Sequence, residues 1–275
     1  MIREDPPKET LWNAEIVLDR EVPGPLVLGD GRFLGLGVMA PAKDLVPGRH
    51  VFAVVDGLVE PPEPLDIARA LRRAVMARVQ TVLGDRAELP RFFSGHEDDG
   101  TPARGARSAH LSFAFDPHAR RLLIIAPHMV ERRVPTRDEL AHIRTLDSAL
   151  IGLRELRAGR SGLLELASVP ADDDDDAILG QAMAWTTSTP YVVTRHAHSG
   201  AAVEALVSDV RAQCHRAGLP TPRVESSDVQ GVPGVGLSGT VTLHFERAVS
   251  GPILLGRTRH FGGGLFRIVA PPGRT

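Results

Sequence analysis

One pattern occurs twice in this chain: "GPLVLGDGRFLGLGVM" at residues 24–39 and "GPILLGRTRHFGGGLF" at residues 251–266. The copies align without a gap at an offset of 227 residues. Gly24, Pro25, Leu28, Gly29, Arg32, Gly35 and Gly37 match Gly251, Pro252, Leu255, Gly256, Arg259, Gly262 and Gly264, and upstream Arg20 and Val22 match Arg247 and Val249. Glycine bias alone does not reproduce the leucine and arginine positions. Each copy follows a strand pattern, so the motif reads as the glycine-rich turn that ends a repeated unit. Glycines so spaced permit positive φ and let backbone approach a ligand closely, with amides that could hold a phosphate. Flanking arginines would add charge-assisted hydrogen bonds. The competing reading is a structural turn packed on a helix.

The 275 residues, 43% hydrophobic, suffice for one large or two ordinary globular domains. No apolar run approaches the ~20 residues that span a bilayer. The start "MIREDPPKET" lacks the apolar stretch of a secretory signal, so a soluble, cytoplasmic protein with no membrane partner is expected. The single cysteine, Cys214, excludes an internal disulfide framework and a multi-cysteine zinc site, and its helical setting predicts burial. The net charge of −2 hides an asymmetry: five acids form the run Asp172–Asp176, whereas residues 177–275 hold nine arginines against five acids. Residues 251–275 carry four arginines and no acid. Only Lys8 and Lys43 are lysines, so the positive charge is arginine, whose planar fork suits phosphate and stacks on bases. A GC-rich genome explains the arginine preference equally well, but not the local clustering.

Along the chain, "NAEIVLDREV" reads as a strand entering the first glycine motif, and "APAKDLVPGRH" as a connector. "VFAVVDG" is a strand. "PLDIARALRRAVMARVQTVLG" is a helix with Ile67, Leu71, Val75 and Val79 on one face and its arginines, Arg69, Arg72, Arg73 and Arg78, on others. A long polar loop, "ELPRFFSGHEDDGTPARGARS", follows, then two strands, "AHLSFAFD" and "RRLLIIAPH", joined by a tight turn as a hairpin. Thr136 and Glu139 form a capping-box pattern opening an amphipathic helix, and "SGLLELASV" is the closing strand. This βαββαβ order predicts a ferredoxin-like, RRM-like unit over residues 48–170. The acidic run 171–176 reads as a solvated linker. Residues 177–275 begin a second, less regular copy, in which "SSDVQGVPGVGLSG" reads as flexible and no second helix is evident. The expected class is therefore α+β: two ferredoxin-like units in tandem with a C-terminal glycine-rich loop, preceded by a tail over residues 1–47.

"LGRTRHFGGGLF" resembles the C-terminal glycine-rich loop of the repeat-associated RNA-binding superfamily of CRISPR systems. The succession "FSGHEDDGTP", "AHLSF", "WTTSTPYVVTRH", "CHRAGLP" and "GPILLGRTRHFGGGLF" is similar in order and spacing to the C-terminal, crRNA-processing half of the fused subunit of type I-U (I-G) effector complexes. The likeness spans about residues 50–270. It implies an endoribonuclease acting on CRISPR repeat RNA, with crRNA and other subunits of a type I complex as partners. In the fused family a crRNA-binding half precedes this one. Residues 1–47 then read as the tail of such a unit, which implies a split gene or a separately encoded processing subunit.

The chemistry implied by the resemblance needs no metal or other cofactor: a 2′-OH attacks the adjacent phosphate, leaving a 2′,3′-cyclic phosphate and a 5′-OH. It requires a base, an acid and cations around the phosphorane, and histidine suits the proton transfers. Among eleven histidines, His96 in the polar loop, His110 before the next strand and His260 between Arg259 and the glycines are the catalytic candidates. Arg195, His196, Arg257, Arg259, Gly262, Gly263, Gly264 and Arg32 are the RNA-binding candidates. His118 and His142 read as solvated, and His128 as the cap of a strand end. "HEDDG" also admits a metal-dependent nuclease through His96, Glu97, Asp98 and Asp99, though calcium-loop spacing is missing. A non-catalytic subunit that only holds crRNA is the remaining alternative.

Overall fold

The computed structural model describes residues 16, 22–34, 37–39, 48–84, 88–97, 100–101, 109–169, 176–194 and 202–269. The chain divides into two units, residues 1–45 and 46–275. In the first, β1 (Leu26–Val27) pairs antiparallel with β2 (Val38–Met39), enclosing a 3₁₀ turn over Asp30–Leu34. This is the first glycine motif, with Leu28 N–H donating to the Gly37 carbonyl at 2.9 Å.

The larger unit begins with β3 (Arg49–Asp56) and the twenty-residue helix α1 (Pro64–Leu83). Proline in the first turn suits a helix start, and Ile67, Leu71, Val75 and Val79 are all fully buried, as their spacing predicts. A one-turn helix, α2 (Arg91–Ser94), leads to β4 (Ser112–Asp116) and β5 (Arg121–Ile125), which pair as the expected antiparallel hairpin. Next come α3 (Pro127–Val130), α4 (Arg137–Leu150), β6 (Glu155–Arg157) and β7 (Leu163–Ser168). The sheet order is β4-β5-β3-β7-β6, antiparallel throughout.

The capping box at α4 is complete: Glu139 N–H donates to Thr136 Oγ1 at 3.2 Å and Thr136 N–H donates to Glu139 Oε2 at 2.8 Å. Arg133 locks the same carboxylate and, with its hydrogen bonds, holds the Glu139 carboxyl below its usual range against the opposing effect of burial. Thr136→Ala is expected to cost about 1 kcal/mol, read by urea denaturation.

β4 and β5 are buried on both faces, which explains their nearly continuous apolar sequences. One face carries Phe52, Phe113, Phe115, Leu122 and Ile124 against α1 and α4. The other, with Val51, Ala114, Leu123 and Ile125, packs on Ile178, Leu179, Leu254 and Leu265 from the C-terminal part of the chain. The second glycine motif is thereby pressed onto the first sheet.

That C-terminal part comprises β8 (Gln181–Thr187), β9 (Tyr191–Val192), α5 (Ala202–Arg216), β10 (Arg223–Val232), β11 (Gly236–Ser250) and β12 (Phe266–Ile268). The order is β10-β11-β8-β12, with β9 pairing the far end of β11. Two expectations are corrected here. The stretch 226–239 is not a loose segment but the outer part of a long hairpin, turning at Val232–Val235. Asp176, last of the acidic run, is not solvated: it pairs with Arg121, which also meets buried Asp116, and accepts from the Ile178 and Leu179 amides at 2.7 and 2.9 Å. The remaining aspartates, Asp172–Asp175, fall outside the described residues.

Cys214 is buried on α5, as expected, and its thiol is pushed up to about 12 by burial, against the opposing influence of Arg132. No helix among the described residues is long and apolar enough to cross a membrane.

Candidate functional site

Three segments far apart in sequence meet beside α1. The first is α2 and the turn after it. Phe92 and Phe93 are buried, and Gly95 ends the helix in the left-handed region at φ +69°. The second is the approach to β4, where the Leu111 amide donates to the Phe92 carbonyl at 3.0 Å and so holds His110 beside the turn. The third is the 3₁₀ turn Arg259–Phe261 of the second glycine motif.

The meeting point is a pair of imidazoles. The His110 and His260 rings stack with centroids 3.6 Å apart and planes 29° from parallel. His260 Nδ1 lies 3.2 Å from Ser112 Oγ, and its ring also bonds the Leu111 backbone. Gly95 is a glycine because His110 occupies the space of a side chain: a Cβ there would stand 2.4 Å from His110 Cδ2 and 2.5 Å from Nε2.

His96 follows at the exposed rim. Its Nδ1 is 2.8 Å from the Ser94 carbonyl, and its own amide donates to Ser94 Oγ at 3.2 Å. A carbonyl only accepts, so Nδ1 carries a proton in this contact, and the tautomer it fixes has Nε2 as the acceptor nitrogen. His96 also acts electrostatically on His110, which places all three candidate histidines at one site.

Sequence reasoning passed over Arg72. It lies on α1, its Nη2 donates to the Ser94 carbonyl at 2.5 Å, and its guanidinium carbon sits 5.5 Å from the centre of the Phe261 ring. The same side chain thus touches the α2 turn and the glycine loop. Its Nε is buried and has no hydrogen-bond partner among the described residues. Arg259, beside His260 in the same 3₁₀ turn, is largely desolvated and within the influence of Glu131, Arg216 and Tyr191. Burial lowers the pKa of both arginines, yet both remain cationic at neutral pH.

These surroundings disfavour protonation of the pair. The His110 midpoint is lowered to about 4, first by burial and then by Arg72, Arg259 and His96. His260 is lowered well below the ordinary histidine range, again chiefly by burial, then by His110 and Arg259. Both rings are therefore neutral at pH 7.

A stability prediction follows. His110 binds fewer protons folded than unfolded between its ordinary value of 6.5 and about 4, so its contribution is retained above pH 6.5 and lost as the pH falls towards 4. The loss amounts to about 3 kcal/mol over that window, and His110→Asn should flatten the profile measured by denaturation at stepped pH.

The other sequence-predicted residues scatter. Arg257 is exposed and donates to the Val235 carbonyl at 3.1 Å, tying the glycine loop to the turn of the β10–β11 hairpin. The Gly263 and Gly264 amides donate to the Thr258 and Pro190 carbonyls at 3.1 and 3.0 Å. Those donors, proposed from sequence to face a phosphate, are therefore taken within the fold, and Gly262 is buried where a Cβ would stand 3.0 Å from Ala68 Cβ. Arg32 belongs to the N-terminal unit, where it lies 4.8 Å over the exposed Phe33 ring. Arg195 and His196 lie outside the described residues.

Of the histidines set aside, His142 is half-buried rather than fully solvated: it packs on Phe92 and Phe93 at 5.3 and 5.5 Å, and burial lowers its pKa. His128 is buried on α3 rather than capping a strand. No group of three or more metal-ligating side chains occurs among the described residues; Glu97 is paired with Arg91 at 3.1 Å, and Asp98 and Asp99 fall outside them.

No family model matches the chain, and no curated protein matches it. Solved structures are similar to it at low identity. The product of a Cas6-related gene from Pyrococcus furiosus is 12% identical with a TM-score of 0.42, over 81% of this chain and 98% of that one. Csf5, a type IV Cas6 crRNA endonuclease, is 13% identical with a TM-score of 0.34, over 81% and 99%. The CRISPR RNA processing endoribonuclease Cas6b is 10% identical with a TM-score of 0.35, over 80% and 98%.

Proposed function

We propose that this protein binds CRISPR repeat RNA and cuts it without metal, by attack of a 2′-OH on the neighbouring phosphate. The observation that carries the reading is the convergence of His96, His110 and His260 with Arg72 beside the stacked pair and Arg259 on the same loop as His260. His96 Nε2 takes the 2′-OH proton as the 2′-oxygen attacks phosphorus. The P–O5′ bond breaks, and the departing 5′-oxygen takes back the proton that His96 removed, with the His110–His260 pair lining the site, leaving a 2′,3′-cyclic phosphate and a 5′-OH. The guanidiniums offset the charge of the phosphorane. Residues 48–170 and 177–275 are read as two ferredoxin-like units, with residues 1–47 as the tail of another. Further subunits of a type I effector complex are the proposed partners.

A second reading, a subunit that holds crRNA without cutting it, is favoured by one observation: neither ring of the pair is protonated at neutral pH in the empty site, so the acid is missing there. Incubating the protein with repeat RNA, with and without EDTA, and examining the product ends separates the readings. Cutting in EDTA with a cyclic phosphate end is the expected result. Tight binding without cutting would leave the second reading, and activity lost in EDTA would make the enzyme metal-dependent.

A further inference from the structure

We propose that Arg72 is a positioning residue for His96: by holding the Ser94 carbonyl it fixes which His96 nitrogen carries the proton, and through Phe261 it makes that choice depend on the seating of the glycine loop. That His96 takes a proton from RNA rests on the function proposed above; the coupling rests on the geometry of the site.

One oxygen holds both side chains. The Ser94 carbonyl oxygen lies 2.5 Å from Arg72 Nη2 and 2.8 Å from His96 Nδ1. A carbonyl oxygen has two lone pairs, so it accepts from both donors at once. The bond from the guanidinium is charge-assisted and the stronger of the two, so Arg72 sets where the oxygen points and the imidazole follows. His96 stands exposed at the rim beside Gly95, and the Ser94 hydroxyl, at 3.2 Å, holds its amide rather than its ring. A neutral imidazole carries one proton on either nitrogen, and in water it favours Nε2. Donation to Ser94 reverses that preference, and with it the nitrogen left to accept a proton.

Arg72 is itself steered from a distant part of the chain. It rises from α1 between the fully buried Leu71 and Val75, and its guanidinium carbon lies 5.5 Å from the centre of the Phe261 ring, within cation–π range. Phe261 follows His260 in one 3₁₀ turn, and His260 stacks on His110. Displacing the glycine loop therefore withdraws the ring that Arg72 lies over and loosens the carbonyl that sets His96. The base is in its working tautomer while the loop is seated. A guanidinium that served only as a counter-charge to phosphate would need neither contact.

Nitrogen NMR of isotope-labelled imidazoles, at about pH 9 where histidine is neutral, reads the tautomer without RNA. In the unaltered chain the Nδ1–H form of His96 should predominate. Arg72→Gln, too short to reach Ser94, should lower the ratio of Nδ1–H to Nε2–H about fivefold, the worth of one hydrogen bond. Phe261→Leu keeps an apolar side chain but removes the π face, and should move the ratio the same way by about twofold. Ser94→Ala keeps the carbonyl and removes only the hydroxyl, and should leave the ratio unchanged. Should Arg72→Gln fail to fold, Phe261→Leu and Ser94→Ala decide. A predominant Nε2–H form in the unaltered chain would overturn the proposal, as would a ratio indifferent to Arg72→Gln or Phe261→Leu. An equal loss in Ser94→Ala would overturn it too, since the tautomer would then belong to the turn as a whole. A tautomer that answers to Arg72 in a protein that leaves repeat RNA whole overturns the nuclease reading and keeps the coupling; cutting by a protein whose tautomer ignores Arg72 does the opposite.

Discussion

His96→Ala is expected to slow cleavage of repeat RNA by about 10³-fold while leaving RNA affinity nearly unchanged. The expectation follows from how the ring is held. The Ser94 carbonyl fixes the proton on Nδ1, which leaves Nε2 as the acceptor, and the ring stands exposed at the rim where a ribose can reach it. Alanine removes the acceptor without opening a cavity, because the turn is kept by Gly95 and by the bond from Arg72 to the Ser94 carbonyl. Folding should therefore be unaffected, and single-turnover cleavage separates the effect from binding. A fully active variant would remove His96 from the mechanism. A variant that also loses affinity would make the ring a binding group instead. His260→Ala should lose a similar factor but, unlike His96→Ala, should also unseat His110, since the two rings share one stacked contact.

The two elements read most securely from sequence were those whose physics is local. The four-residue spacing of Ile67, Leu71, Val75 and Val79 needs nothing beyond helix geometry, and the pairing of Thr136 with Glu139 closes within one turn. The repeat was also legible, and the structure gives it a geometry. Leu28 with Gly37 and Leu255 with Gly264 make the same amide-to-carbonyl bond at 2.9 and 3.0 Å, and Gly29 and Gly256 share a φ near +93°, at +92° and +94°. What sequence could not show is what side chains reach across the fold. Arg72 lies off the apolar stripe of its helix, and only the placement of α2 and Phe261 makes it a site residue. Asp176 is one aspartate in a run of five, distinguished from its neighbours only by the Arg121 that meets it. The β10–β11 hairpin was hidden by its glycines. One of these, Gly239, is there because α5 crosses closely, a Cβ standing 3.1 Å from Leu206 Cδ1.

Gly264→Ala is expected to destabilise the protein by about 4 kcal/mol and to lower Tm by about 10 °C. Two costs add. The backbone is at φ +60°, which a side chain resists, and the new Cβ would stand 1.9 Å from the Leu255 carbonyl oxygen. That oxygen cannot retreat cheaply. Leu255 is buried, its amide donates to the Gly264 carbonyl, and the Gly264 amide itself donates to the Pro190 carbonyl. Gly263→Ala makes the control. Its Cβ would come 2.0 Å from Thr258 Oγ1, but that hydroxyl has no partner among the described residues and belongs to a side chain that can turn, and no positive φ is involved. It should cost markedly less. Because His260 stands four residues before Gly264 on the same loop, the Gly264 variant should lose cleavage together with stability, as the stacked pair comes apart. If the glycines instead served to admit a phosphate to the backbone, Gly264→Ala would melt like the unaltered protein and lose RNA affinity alone. Thermal denaturation beside RNA binding tells the two apart, and the same comparison at Gly37, where a Cβ would stand 1.8 Å from the Leu28 carbonyl, asks whether both copies of the motif are glycine-rich for the same reason.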